Sequence, residues 1–274
     1  MGGLKLESWN NTEMRLDVKV VILAGGKGTR IGEESQFKPK PMVEIGEHPI
    51  LWHIMKRYSN YGFHDFIICC GYKGHMIKEY FTDYYMKYSN VCFNMKEGKV
   101  KYLDNEVEPW RVTLANTGLH TLTAKRIAGI QHYIGEDEEF MLTYGDGVAD
   151  INIQELIECH RMSGKCMTMT VTKPEGRFGT VSLDEHSKTV KGFKEKARED
   201  QSYVNIGFMV CKREIFDYIG KENEMLEAGP FQRLVEANEM AAYEHKGFWS
   251  PMDNIRDRDY LNKLWMTGQA KWMI

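Results

Sequence analysis

The sequence predicts an α/β fold, with a Rossmann-like mixed, mainly parallel sheet that is flanked by helices and carries an inserted polar segment. Short apolar runs alternate with stretches of helical periodicity from residue 18 onward, which is typical of a layered α/β protein. Two of the apolar runs lead directly into glycine-rich turns, as strands do where a sheet binds a ligand. We expect a single domain over residues 18–274, preceded by an N-terminal extension over residues 1–17.

The predicted strands are short runs of apolar residues. Residues 20–23 read Val-Val-Ile-Leu and residues 65–70 read Asp-Phe-Ile-Ile-Cys-Cys, the continuous pattern of parallel strands buried on both faces. Residues 139–144 have the same character and lead into Gly145. We expect further strands over 166–172 and 203–210 and a hairpin over 178–193.

The predicted helices carry apolar side chains on one face. Residues 50–61 place Ile50, Ile54 and Tyr58 one turn apart. Residues 91–123 are polar and irregular, so we interpret them as an insertion over one end of the sheet. Further helices are expected over 77–85, 153–163, 214–219 and 257–267.

Composition argues against several classes of protein. The formal net charge is −3, so no basic surface dominates, which argues against bulk nucleic-acid binding and leaves a local basic patch as the alternative. The six cysteines include no Cys-x-x-Cys pair, which argues against zinc and thioredoxin-like sites. No apolar stretch approaches the length of a membrane span, and residues 1–17 lack the apolar core of a secretory signal. We therefore expect a cytoplasmic protein with small-molecule partners and no nucleic-acid or membrane partner.

The most informative segment is the glycine-rich turn after the first strand. Gly25, Gly26 and Gly28 let the backbone bend tightly and bring its amides close to a ligand. A dinucleotide-binding fingerprint would need a third small residue where Ile31 stands. A P-loop would need a lysine between Gly28 and Thr29. A plain strand–loop turn remains the alternative to a phosphate-binding loop.

Two cations beyond the turn favour the phosphate-binding function. Arg30 follows the turn after Thr29, and Lys40 lies in the run Lys-Pro-Lys-Pro-Met at 38–42. A purely structural turn does not need these charges, whereas guanidinium and ammonium groups both bind phosphate well. Together with the glycine amides, they predict a loop that handles a nucleoside triphosphate.

Two aspartates are candidate metal ligands. Asp146 follows the apolar strand at 139–144, where a carboxylate is well placed to hold Mg²⁺ against phosphate oxygens. Asp253 is the candidate for completing the site. The alternatives are a turn aspartate between glycines for Asp146 and a helix N-cap for Asp253. We interpret Asp150 as an N-cap or surface residue.

Longer motifs around these residues resemble a known family. The run Gly-Gly-x-Gly-Thr-Arg stands at 25–30, followed by Pro-Lys-Pro at 39–41, and this signature resembles the sugar nucleotidyltransferases. Segments at 65–74, 107–110, 143–148 and 176–179 are similar to their glucose-1-phosphate cytidylyltransferase branch. The resemblance implies a nucleotidyltransferase fold and transfer of a cytidylyl group from CTP to glucose 1-phosphate, with Mg²⁺. It also implies a place in sugar nucleotide and polysaccharide biosynthesis, and exposed aromatic residues make a homo-oligomer plausible.

The resemblance assigns roles to particular positions. It implies that Arg30 and Lys40 are catalytic and that Asp146 and Asp253 bind the metal. The residues implied to contact the sugar phosphate are Glu195, Lys196 and Asn205. The residues implied to contact the nucleotide are Leu23, Ala24, Gly25, Gly26, Lys27, Gly28, Thr29, Thr121, Arg126 and Gly145.

Several segments depart from the family pattern near the expected nucleotide and sugar pockets. The chain has Asn-Thr-Gly at 116–118 where the family has Asp-Thr-Gly, and Ala-Lys-Arg at 124–126 where the family has Gly-Gly-Arg. It has Asn-Ile-Gly-Phe at 205–208 in place of Asn-Gly-Gly-Phe. The alternatives are therefore the same reaction with UTP, dTTP, GTP or another sugar 1-phosphate, or a non-catalytic sugar-nucleotide-binding protein.

Overall fold

The structure is a computed structural model that describes residues 18–26, 28, 37–103, 107–174, 180–183, 190–194 and 202–274. The predicted N-terminal extension lies outside the described residues. The strands are β1 (Val20–Ala24), β2 (Glu44–Ile45), β3 (His48–Pro49), β4 (Asp65–Cys70), β5 (Val91–Asn94), β6 (Lys99–Tyr102), β7 (Arg111–Asn116), β8 (Glu139–Tyr144), β9 (Gly147–Ala149), β10 (Met167–Thr172), β11 (Thr180–Leu183), β12 (Val190–Lys194), β13 (Val204–Lys212), β14 (Met240–Glu244) and β15 (Trp249–Pro251). The helices are α1 (Ile50–Ser59), α2 (Gly74–Thr82), α3 (Tyr84–Tyr88), α4 (Thr123–Gly129), α5 (Gln131–Ile134), α6 (Ile153–Ser163), α7 (Pro230–Glu236) and α8 (Ile255–Met266), with short 3-10 helices at Lys40–Met42, Arg213–Tyr218 and Lys271–Met273.

A seven-stranded mixed sheet lies at the centre, in the order β14-β10-β13-β8-β1-β4-β7. β13 runs antiparallel to its neighbours β10 and β8, and every other adjacent pair in this sheet is parallel. The predicted α/β class with a mixed, mainly parallel sheet is confirmed. Because β1 lies between β8 and β4, the turns that follow these strands meet at one edge of the sheet.

The continuous apolar pattern of β1 follows from packing on both faces of the sheet. Val20 and Ile22 belong to a core cluster that includes residues of α1 and α6. Val21 and Leu23 belong to a second cluster, which includes residues of α4 and α7. Since successive side chains of a strand point to opposite faces, both sets must be apolar.

Several predicted elements agree closely with the structure. β4, β8 and α6 begin and end at the predicted residues. The helix predicted over 50–61 ends at Ser59, and the helix predicted over 77–85 is divided between α2 and α3. The hairpin predicted over 178–193 is formed by β11 and β12. The helix predicted over 214–219 is a 3-10 helix.

The segment 91–123 is more regular than predicted. β5 and β6 form a hairpin, and β7 joins β4 as an edge strand of the central sheet. The prediction of irregular structure is wrong for β7. As an edge strand, β7 is only partly covered by the rest of the protein, so its exposed positions can be polar. Its sequence, Arg-Val-Thr-Leu-Ala-Asn, therefore lacks the continuous apolar pattern of a central strand.

Asp150 does not cap a helix. The cap of α6 is Asn152, whose side chain accepts a hydrogen bond from the backbone of Glu155. The Asp150 carboxylate accepts instead from the Phe248 amide at 2.7 Å and lies 3.0 Å from His245 Nε2. The N-cap prediction is wrong because the asparagine two residues later has the extended conformation and free amide oxygen that a cap requires.

The structure bears on two expectations from composition. All six cysteines are free thiols, and four of them are buried. Within the described part of the chain, no helix is long and apolar enough to span a membrane.

Gly46 provides a test of the packing between the β2–β3 turn and α8. Gly46 has a φ of +63°, and the Trp265 indole lies where a Cβ would stand. Gly98 has a nearly identical φ of +64° with open space around it. We predict that Gly46→Ala lowers the free energy of unfolding by about 2–5 kcal/mol. The alanine would carry both the backbone strain of a left-handed conformation and the steric overlap of its Cβ with Trp265, and the two costs add. The matched variant Gly98→Ala should lose only about 1–2 kcal/mol. Equal losses in chemical denaturation would contradict this account.

Candidate active site

A cavity of about 350 Å³ opens at the carboxyl ends of β1 and β8. Its lining residues are Leu23, Ala24, Gly25, Gly26, Gly28, Lys40, Pro41, Thr121, Leu122, Thr123, Arg126, Tyr144, Gly145, Asp146, Met225 and Glu227. Ten of the predicted site residues thus meet in one place: Leu23, Ala24, Gly25, Gly26, Gly28, Lys40, Thr121, Arg126, Gly145 and Asp146. A larger cavity, of about 730 Å³, lies between the β2–β3 turn and α8. None of the predicted site residues that the structure describes lines that larger cavity.

Lys40 lies at the centre of a charge cluster in the smaller cavity. Its ammonium is 2.7 Å from Asp146 Oδ2 and 2.7 Å from Asp253 Oδ1. The lysine side chain is only 9% exposed, whereas the two carboxylates are partly exposed. Charge-assisted bonds of this kind are stronger than ion pairs in open solvent. The two aspartates follow Lys40 by 106 and 213 residues, so the cluster joins distant parts of the chain.

Local hydrogen bonds bring the two aspartates to one lysine. β15 pairs with β9 in antiparallel register, with Pro251 opposite Gly147. The Met252 amide then donates to the Asp146 carbonyl at 2.8 Å, which places Asp253 beside Asp146. Lys40 begins a 3-10 turn in which its own carbonyl accepts from Val43, 3.1 Å away. Backbone pairing therefore fixes all three side chains of the cluster.

The helix-cap alternative for Asp253 does not hold. The N-cap of α8 is Asn254, which forms a capping box with Asp257. The Asp257 carboxylate also accepts from the Asp253 amide at 2.9 Å. The backbone ahead of α8 is thus fixed, and the Asp253 carboxylate is directed to Lys40.

The glycine turn is held by backbone contacts on two sides. The Gly25 carbonyl accepts from Arg126 Nη2 at 3.0 Å, and the Leu23 carbonyl accepts from the Gly145 amide at 3.1 Å. An added Cβ at Gly145 would lie only 3.0 Å from that Leu23 carbonyl oxygen. Gly28 has a φ of +61°, a conformation that glycine adopts without steric cost. The strand ends β1 and β8 therefore approach each other closely where the cavity opens.

Arg126 is buried, and its guanidinium binds backbone carbonyls and one threonine hydroxyl of the protein itself. It donates to the Gly118 carbonyl at 2.7 Å and to Thr117 Oγ1 at 2.7 Å, in addition to Gly25. Burial lowers the pKa of Arg126 from its usual value, but a guanidinium stays protonated in proteins. The residue therefore links the glycine turn to the connection between β7 and α4. Its contact with a nucleotide remains a prediction.

Six lining residues are not among the predicted site residues, namely Pro41, Leu122, Thr123, Tyr144, Met225 and Glu227, and two of them, Tyr144 and Glu227, are paired with each other. The Tyr144 hydroxyl donates to Glu227 Oε1. Burial, followed by the Glu227 charge, raises the pKa of Tyr144 above its usual range, so the phenol remains protonated at neutral pH. Tyr144 directly precedes Gly145 and Asp146, and this position in the sequence could have identified it as a site residue. Glu227 lies in a loop without a motif or periodicity, so its sequence context carries no signal.

The remaining predicted residues lie in two places. Asn205 is close enough to Tyr144 to hydrogen-bond with its side chain, beside the cavity. The predicted residues outside the described part of the chain are Lys27, Thr29, Arg30, Glu195 and Lys196. Their roles stay predictions.

The bracing role of Arg126 can be tested with a conservative substitution. We predict that Arg126→Lys lowers the free energy of unfolding by about 2–4 kcal/mol, because one ammonium cannot reach all the acceptors that the guanidinium binds. Arg161→Lys is the matched control, since that arginine is exposed and pairs with Glu139 at the surface. The control should lose at most about 1 kcal/mol in thermal or urea unfolding. Equal losses in the two variants would contradict the bracing role.

Comparisons with known proteins identify relatives over most of the chain. The family model described as Nucleotidyl transferase matches residues 19–258. The glucose-1-phosphate cytidylyltransferase of Salmonella typhimurium is 49% identical over 255 residues, covering 93% of this chain and 98% of that protein. The mannose-1-phosphate guanyltransferase of Saccharomyces cerevisiae is 26% identical, over 93% of this chain and 66% of that protein. A solved structure of UDP-glucose pyrophosphorylase complexed with UDP-glucose has a TM-score of 0.65 at 15% identity, covering 92% of this chain and all of that one, which shows a shared fold.

Proposed function

Because the chain belongs to the nucleotidyl transferase family, we propose that it transfers the cytidylyl group of CTP to glucose 1-phosphate, giving CDP-glucose and pyrophosphate. The similarity to a cytidylyltransferase over nearly the whole chain supports this choice of substrates. The single structural observation that carries the proposal is the contact of Lys40 with both Asp146 and Asp253 beside the glycine turn. This arrangement offers cationic and carboxylate groups where a triphosphate would lie.

The proposed reaction is an in-line displacement at phosphorus. A phosphate oxygen of glucose 1-phosphate forms a bond to the α-phosphorus of CTP, while the bond to the bridging β-phosphate oxygen breaks. Pyrophosphate leaves with the electron pair of that bond, and no covalent intermediate with the protein forms. Catalysis of this kind rests on positioning and on charge neutralisation.

Lys40 is the residue on which we place the central role. Its ammonium is nearly buried and already binds two anions, so phosphate oxygens can take their place as acceptors. We propose that Lys40 neutralises the α-phosphate and the attacking sugar phosphate. Arg30, predicted from the motif, would stabilise the leaving pyrophosphate through its planar set of donors. The amides of Gly25 and Gly26 would bind further phosphate oxygens.

The two aspartates fit a divalent cation, and we propose Mg²⁺. Oxygens of Asp146 and Asp253 converge to within 2.7 Å of one point, the Lys40 ammonium. Within the described residues no group of three or more His, Cys, Asp and Glu side chains could hold a metal. Two carboxylates suffice for Mg²⁺, which commonly completes its shell with water and substrate phosphates. When bound, the ion would polarise phosphate oxygens as a Lewis acid.

The other predicted contacts complete the proposal. Thr121 and Arg126 would contact the nucleotide, and Asn205, Glu195 and Lys196 the sugar phosphate. We also propose a cytoplasmic location, because six free thiols suit a reducing compartment. Exposed apolar side chains such as Phe93 and Met95 on the β5–β6 hairpin favour self-association into a homo-oligomer.

A lysine pair tests the catalytic assignment. We predict that Lys40→Met lowers kcat by roughly 10²–10³-fold, the scale of losing one preorganised charge-stabilising group. Lys38→Met is the matched control, because Lys38 is two residues away, exposed, and paired with Glu44 at the surface. The control should keep turnover within about threefold. Pyrophosphate release and circular dichroism would be measured for both. A folded Lys40→Met variant with wild-type turnover would refute the assignment.

The choice of nucleotide is tested by a substrate panel. CTP, UTP, dTTP and GTP would each be supplied with glucose 1-phosphate and Mg²⁺, and kcat/KM would be measured by pyrophosphate release. We expect CTP to exceed every other nucleotide by at least about tenfold, the effect of one lost hydrogen bond to the base. A higher kcat/KM with UTP would replace the cytidylyl assignment. Binding without pyrophosphate release from any nucleotide would indicate a non-catalytic protein.

A further inference from the structure

We propose that Glu227, held by Tyr144, accepts a hydrogen bond from a sugar hydroxyl of the bound substrates. The hydroxyl belongs to the ribose of the nucleotide or to the pyranose of the sugar phosphate, and both present the same neutral donor. The inference rests on the proposed function and adds to it a residue that determines substrate specificity.

The carboxylate of Glu227 has one satisfied oxygen and one unsatisfied oxygen. Oε1 accepts from the Tyr144 hydroxyl. Oε2 is shielded from solvent and has no hydrogen-bond partner within the described part of the chain. Burying a carboxylate oxygen without a hydrogen bond is unfavourable. A hydrogen bond to that oxygen therefore contributes more free energy than the same bond in water. Because Glu227 lines the cavity, a bound ligand is in a position to supply that donor.

The backbone that leads into Glu227 is fixed by several contacts. Leu226 is fully buried, and its amide donates to Thr123 Oγ1 at 2.8 Å. Its carbonyl accepts from the Phe231 amide at 2.9 Å. Glu224 forms an ion pair with Arg233, which ties the start of the same turn to α7. An acceptor held in this way loses little conformational entropy when a ligand binds.

The position of Tyr144 depends on a glycine in the neighbouring strand. Gly207 has a φ of +86°, and an added Cβ there would lie 2.5 Å from Tyr144 Cδ2. The ring therefore occupies the space that Gly207 leaves open, and its hydroxyl reaches Glu227. Tyr144 fixes the Glu227 carboxylate from one side and leaves the second oxygen for a ligand.

Charge indicates which kind of donor the ligand presents. A carboxylate repels phosphate, so the phosphates belong at the part of the cavity lined by Lys40 and the glycine turn. A neutral hydroxyl is a suitable donor to a carboxylate, and sugar rings carry several. Asn205, a predicted sugar-phosphate contact, lies beside Tyr144. This neighbourhood favours a sugar hydroxyl over a group on the base.

Glu227→Gln is the informative substitution. Its amide oxygen can keep the bond to Tyr144, which leaves an NH₂ group, unable to accept a hydrogen bond, at the second position. Glu222→Gln is the matched control, since that carboxylate is exposed and belongs to the same loop. A second variant, Tyr144→Phe, removes the group that fixes the carboxylate and remains informative should Glu227→Gln fail to fold.

The experiment compares the activity of these variants on substrates that each lack one hydroxyl. The kcat/KM for pyrophosphate release would be measured with 2′- and 3′-deoxy-CTP and with the 2-, 3-, 4- and 6-deoxy derivatives of glucose 1-phosphate. We expect one analogue to lose roughly 10–100-fold with the wild type and with Glu222→Gln, the scale of a hydrogen bond to a charged group. With Glu227→Gln the same analogue should lose less than about threefold relative to its parent, and Tyr144→Phe should also reduce its penalty.

Each outcome bears on the proposal. If Glu227→Gln reduces the penalty of a deoxy-CTP, the contact is with the ribose. If it reduces the penalty of a deoxyglucose 1-phosphate, the contact is with the pyranose. Either result supports the inference. If every deoxy analogue loses the same factor in kcat/KM with Glu227→Gln as with the wild type, the inference is overturned. A preference for CTP over UTP that collapses in Glu227→Gln would also overturn it, because the carboxylate would then bind the base. A wild-type protein that releases no pyrophosphate from CTP and glucose 1-phosphate would instead refute the proposed function.

Discussion

The placement of one nearly buried ammonium between two carboxylates is the constraint on which the site depends. Lys40, Asp146 and Asp253 come from three distant parts of the chain, and removing the lysine would take away the cation that both carboxylates share in a partly desolvated place. Under the proposed function, phosphate oxygens would compete with the aspartates for the ammonium, and a divalent cation would compete with the ammonium for the aspartates. The contacts that hold the cluster together are therefore those that substrates and metal would exchange.

The sheet supplies the rigid frame for this exchange. β1 lies between β8 and β4, so the glycine turn and the turn that carries Asp146 emerge side by side. Arg126 holds the glycine turn from the other side through the Gly25 carbonyl. Arg126 positions the loop through its bonds to backbone carbonyls, whereas Lys40 is paired with two carboxylates that substrates and metal would displace under the proposed function. Two basic residues of one cavity thus have different physical roles.

Sequence patterns predict the parts of the fold that are buried on both faces. β4 and β8 carry continuous apolar runs and were predicted residue for residue, whereas β7 has a mixed pattern because only part of it is covered. The site residues could be predicted by type and motif, but their contacts could not. Asp253 was ambiguous, since Asn254 beside it is an equally good cap. Glu227 could not be predicted, because its hydrogen-bond partner is a tyrosine 83 residues earlier in the chain and no local sequence pattern indicates such a contact.

A crystal structure of the protein with CDP-glucose and Mg²⁺ is the most direct test of the central claim. The account predicts the diphosphate in the cavity between the glycine turn and Asp146, with a phosphate oxygen hydrogen-bonded to the Lys40 ammonium. It also predicts the cation between the carboxylates of Asp146 and Asp253. A diphosphate bound in the larger cavity beside α8, with Lys40 still paired to both aspartates, would contradict it.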